Sequence, residues 1–171
     1  EGSEVRRPAD AVTKDAPPSG DSFAPETFST IGTLTTISEF SVPQPGLMVI
    51  RCAGVQRFKI SRREKLRHGL WIADVAQLDD DMAVAIPPDL QPIAVALERL
   101  LESQRSGEAM FEPFPIEQPY RFDDCGWVAN RWCDLLPVDS ELKQRLMKLD
   151  APLLRLELVS DILERTGIAP S

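Results

Sequence analysis

Apolar positions along the chain follow two different periods, and the change falls near residue 80. Before it they alternate. Ile31, Thr33, Thr35 and Ile37 share one face of a β-branched stretch over 30–37. Residues 42–46, Val-Pro-Gln-Pro-Gly, read as a turn. Residues 47–52 form a near-continuous apolar run, and Gly54 after it marks a bulge or a sharp bend. Residues 56–60 alternate again, with Phe58 and Ile60 on one side and Arg57 and Lys59 on the other. Residues 69–78 carry apolar side chains on both faces, the pattern of a strand covered on both sides.

After Asp79-Asp80-Asp81 the period becomes helical. Four helices are expected, near 89–105, 123–136, 139–149 and 151–166. Asp89 caps the first, with Pro92 in its first turn and Ile93, Ala96, Leu97, Leu100 and Leu101 in one stripe. Asp123 and Asp124 open the second, Asp139 the third and Asp150 the fourth. Leu153, Leu156, Val159 and Leu163 point inward on the fourth, and Gly167 stops it. Strands first and helices second predict an α+β fold. It comprises a β-rich lobe over 30–82, a twisted and mostly antiparallel sheet, and a helical bundle over 83–171. Residues 1–29 read as mostly loop, with the end of a strand at 1–5, because too few apolar positions offset the ordering entropy.

The 171 residues are 43% hydrophobic and 27% charged, the make-up of a globular chain, which at this length buries roughly 70% of its unfolded surface. The longest apolar run is far short of the roughly 18 residues of a membrane span. The start at Glu1, without Met or a signal pattern, reads as a processed product, a trimmed piece or a fragment. A net charge of −8 disfavours non-specific nucleic-acid binding. Cys125 and Cys133 stand eight residues apart on one helix, about 12 Å, too far to bridge. Cys52 is alone in a strand, and the set fits a reducing cytoplasm.

The chemistry is marked by what is missing. No Gly-rich phosphate loop, no dinucleotide fingerprint and no Cys-x-x-Cys is present. The one histidine, His68, sits among cations at a hairpin mouth and reads as a solvated loop residue. The three adjacent aspartates favour a solvated link over a metal site, since no calcium-loop spacing accompanies them. No catalytic residue, metal or cofactor is expected. Arg57, Lys59, Arg62, Arg63, Lys65 and Arg67 make one basic hairpin. It reads as a solvated hairpin side, with an acidic partner or a nucleic acid as alternatives. Trp127 and Arg131, four apart, can stack, and Trp127 and Trp132 read as core.

Three stretches resemble successive strands of the Lon protease N-terminal domain family: Gly32-Thr-Leu-Thr-Thr-Ile37, Ile50-Arg-Cys-Ala-Gly-Val-Gln-Arg-Phe-Lys-Ile60 and Gly69-Leu-Trp-Ile-Ala-Asp-Val75. Residues 123–137, from Asp-Asp-Cys-Gly-Trp to Leu-Leu-Pro, and 143–159 are similar to the helical half of short bacterial proteins made of that domain alone. The resemblance runs in order from about Thr30 to Gly167. It implies a non-catalytic domain that binds unfolded or exposed polypeptide, or a regulatory fragment of an ATP-dependent protease. Its partners would be polypeptide substrates or a protease or chaperone, with homo-oligomers allowed and no membrane. The Phe-Pro-Leu and Leu-Phe-Pro-Gly openings of the family are missing, which would leave strand edges unpaired. Arg57, Phe58 and Trp71 are the candidate substrate-binding residues.

Overall fold

A computed structural model describes residues 28–67, 69–106, 116 and 118–168. The expectations for residues 1–27 and for His68 lie outside them. The chain divides into two compact units, residues 1–79 and 80–171.

Three antiparallel strands build the first unit in the order β1 (Ile31–Gln44), β2 (Leu47–Lys65) and β3 (Trp71–Gln77). The α+β expectation holds, and the strands are longer than the sequence suggested. Residues 47–52 and 56–60 are parts of one 19-residue strand. Gly54 does not end it. Thr35 pairs with Gly54 and Leu34 with Gln56, so Val55 bulges out of the ladder. The turn is also tighter than 42–46. Val42 and Pro43 belong to β1, and only Pro45-Gly46 connects the strands, with Gly46 at φ +84°. Pro43, which lacks an N–H, sits where the register slips between Ser41 and Gln44. β3 departs from its expected two-sided burial. Ile72 and Val75 are exposed, because the described part of this unit is a single sheet with no second layer.

The second unit holds α1 (Gln91–Arg105), α2 (Cys125–Leu135), α3 (Ser140–Met147) and α4 (Pro152–Thr166). Every buried apolar residue among those described lies between Ile86 and Leu163. Two of the expected caps are in place. Asp124 Oδ1 accepts from the Gly126 N–H at 2.8 Å, and Asp139 Oδ1 from the Leu142 N–H at 2.7 Å. The other two are not. Leu90 and Ala151 are the capping positions of α1 and α4, without side-chain caps, so Asp89 and Asp150 fall one residue early. Proline in the first turn of both helices removes one orphan donor. Gly167, at φ +70°, ends α4. Trp127 and Trp132 are both buried. The Trp132 indole donates to the Ile93 carbonyl at 3.1 Å and ties α2 to α1, while the Arg131 guanidinium lies 5.9 Å from the Trp127 ring centre.

Candidate functional site

β3 pairs with β2 only from Phe58 to Lys65, so the far half of β1 and β2 is a two-stranded ribbon. Register fixes what each side of it shows. Ile37 faces Cys52 and Phe40 faces Ile50, and alternation adds Val42 and Met48 to that side. The other side carries Ser41, Val49 and the Glu39–Arg51 ion pair at 3.0 Å. Ile37, Phe40, Val42, Met48 and Ile50 are 53–71% exposed. Five large apolar side chains on one face reach the few-hundred-Å² scale at which a patch marks an interaction site. The outer edge of β1 has no strand partner among the described residues. The sequence placed Ile37 in an alternating strand and Met48 and Ile50 in an apolar run, put Val42 in a turn and gave Phe40 no element, and it carried no signal that the described residues hold no layer over this face.

The basic hairpin is not one patch. Arg57, Lys59 and Arg62 pair with Thr33, Ile31 and Asp74, on the side of the apolar ribbon face. The bulge at Ser61 puts Arg63 and Lys65 on the opposite side, opposite Ala73 and Trp71. There they stack on rings. Arg63 lies 5.5 Å from Phe28 and 5.9 Å from Trp71, and Lys65 lies 5.7 Å from Trp71. Arg62 pairs with Glu64 at 3.6 Å.

The three candidate residues are not brought together. Phe58 lies across from Gly32, over which its ring sits so closely that a Cβ there would collide with it. Trp71 stacks edge-on against Phe28, with 5.0 Å between ring centres. Phe58 pairs with Gln77, six residues from Trp71 along β3, which is about 20 Å at the rise of a strand. Arg57 points to the other side of the ladder.

A second cluster was missed from sequence and lies within the helical unit. Arg155, 1% exposed, stands on the inward face of α4 with Pro152, Leu156, Val159 and Leu163, while Leu153 is exposed. All five of its N–H groups are engaged. Nη1 donates to Asp81 Oδ2 at 2.5 Å and to Asn130 Oδ1 at 3.0 Å. Nη2 donates to Asp81 Oδ1 at 3.2 Å and to the Leu149 carbonyl, and Nε to the Leu146 carbonyl at 3.2 Å. Asp81 is thus withdrawn from the solvated acidic link by a bidentate partner. The available signal was a cation one position before Leu156 and four before Val159, inside an apolar stripe. With its donors filled and its guanidinium buried, this cluster is structural.

Among the described residues no three His, Cys, Asp or Glu side chains converge as metal ligands. No described helix is long and apolar enough to cross a membrane. Burial pushes the Cys133 thiol up to about 11 and raises that of Cys125, where Asp124 adds to the effect, so neither is an activated nucleophile.

None of the curated proteins compared matches the chain. A Lon N-terminal domain protein from Xanthomonas campestris superimposes with a TM-score of 0.61 at 27% identity, over 77% of this chain and 66% of that one. The chain therefore spans just under two thirds of that neighbour's length. The N-terminal domain of a Mycobacterium avium complex Lon protease shares the fold, with a TM-score of 0.51 at 14% identity, over 79% of this chain and 70% of that one. Residues 10–165 match the ATP-dependent protease La (LON) substrate-binding domain. The chain belongs to that family, whose domain is non-catalytic and separate from the domain that cleaves peptide bonds.

Proposed function

We propose that this domain binds unfolded polypeptide on the apolar side of the β1–β2 ribbon, on behalf of an ATP-dependent protease. The supporting observation is the row of Ile37, Phe40, Val42, Met48 and Ile50, large apolar side chains standing in solvent on one face of a ladder. A folded protein hides the residues that would cover such a row, and an unfolded one presents them. The outer edge of β1, without a strand partner among the described residues, offers main-chain donors and acceptors to an extended segment beside the row. Of the residues singled out from sequence, Arg57 borders this face, while Phe58 and Trp71 stand on the other and serve as controls.

Titration with a permanently unfolded model protein, followed by fluorescence anisotropy, tests the proposal. The expected result is weak, saturable binding, with none to the native form of the same protein. Replacing both Phe40 and Met48 by Asp weakens it at least about ten-fold, since each large side chain contributes roughly 1.5–3 kcal/mol when covered. Trp71→Ala leaves it unchanged. No saturable signal at millimolar peptide, or full binding by the double variant with its circular dichroism intact, refutes the proposal.

A further inference from the structure

We propose that the β1–β2 face selects polypeptide in which an apolar stretch and a group of carboxylate side chains lie about six to nine residues apart. This rests on the polypeptide-binding reading above and adds a substrate class to it. β2 runs unbroken from the ribbon into the three-stranded part of the sheet, so one side of it can be followed from end to end. Met48 and Ile50 come first on that side. Cys52, across from Ile37, and Gly54, across from Thr35, follow. Arg57, Lys59 and Arg62 come last. The order is apolar, then small and polar, then cationic.

From Ile50 to Arg57 and Lys59 the strand covers about 20–30 Å at roughly 3.3 Å per residue. An extended substrate rises at the same rate, so its acidic side chains meet the cations when they lie that many residues from its apolar ones. Lys59 is exposed and has no ion pair among the described residues. Arg62 is partly neutralised by Glu64, with Asp74 across the ladder from it, so Lys59 leads the charge reading. The surrounding sheet supports the sign. Residues 28–79 hold seven lysines and arginines against four carboxylates, in a chain whose net charge is −8. Charge complementarity of this kind sets specificity and orientation more than raw affinity.

Three labelled 16-residue peptides test it. All share one apolar half, and the other half is rich in Asp, in Ser or in Lys. At low salt the Asp peptide is expected to bind about three- to ten-fold tighter than the Ser peptide, the scale of two or three surface ion pairs, and the Lys peptide weaker than both. The preference shrinks in 0.5 M salt. Lys59→Glu removes the preference for the Asp peptide over the Ser peptide. If the three peptides bind alike, the charge selection is wrong and the apolar surface stands. If none binds, the surface reading falls and takes this inference with it. A chain that sediments as a dimer in that case identifies a second copy as the occupant of the face.

Discussion

Leu97, Val128, Leu156 and Val159 in the helical unit are fully buried, whereas Phe40, Met48 and Ile50 in the β unit stand mostly in solvent. All are residues that globular proteins normally put inside. The difference is one of layers. Helices α1, α2 and α4 present apolar stripes to a common core, and Trp132 fixes two of them by a hydrogen bond across it. The sheet offers a pleated surface, and the described residues of its unit supply nothing to lay against it. Charge divides in the same way. Residues 80–171 hold seventeen carboxylates against nine lysines and arginines, while the sheet residues lean cationic. Among the described residues the buried apolar core therefore lies in one unit and the exposed apolar row in the other.

Thiol labelling sharpens that contrast most. Cys52 is exposed, whereas Cys125 is buried and Cys133 is raised to about 11, so that roughly a thousandth of it is thiolate at pH 8. One cysteine should react with iodoacetamide in the native protein, and the other two at least about ten-fold more slowly until urea unfolds the helices. Mass spectrometry reads the count, and three labels in the native state would break the contrast. Arg155→Ala comes next. It strands the Asp81 carboxylate and two carbonyls, and should cost about 3 kcal/mol in urea unfolding, the low end for a broken buried pair because Asp81 keeps some contact with water. The smallest effect belongs to the ribbon. Met48→Ser and Ile50→Ser should each change stability by no more than about 0.5 kcal/mol. A loss above about 2 kcal/mol would mean that the ribbon face is covered, and the two units would then not differ.

How far the sequence foretold this varies with the distance over which each feature is decided. Asp124, Asp139 and Gly167 were legible because a cap is set within three or four residues. Asp89 and Asp150 misled because one position separates a cap from its neighbour, and proline allowed either start. The bulge beside Gly54 was legible, but the continuation of the strand through it was not, since β1 supplies the pairing that bridges it. Arg155 was hidden because its partner is 74 positions away. The ribbon face was hidden for a different reason. Alternation reports that one side of a strand is apolar and is silent on whether anything lies against it.

The clamp on Arg155 has a consequence for the order in which the molecule is made. A ribosome delivers the chain from its N-terminal end, and Asp81 leaves long before Arg155. Until α4 is synthesised, Asp81, Asn130 and the end of α3 have no guanidinium to gather around, and Leu156, Val159 and Leu163 are missing from the core. The hairpin needs only its own local pairing. The nascent chain thus forms its β1–β2 ribbon before it can complete the part that makes the molecule stable.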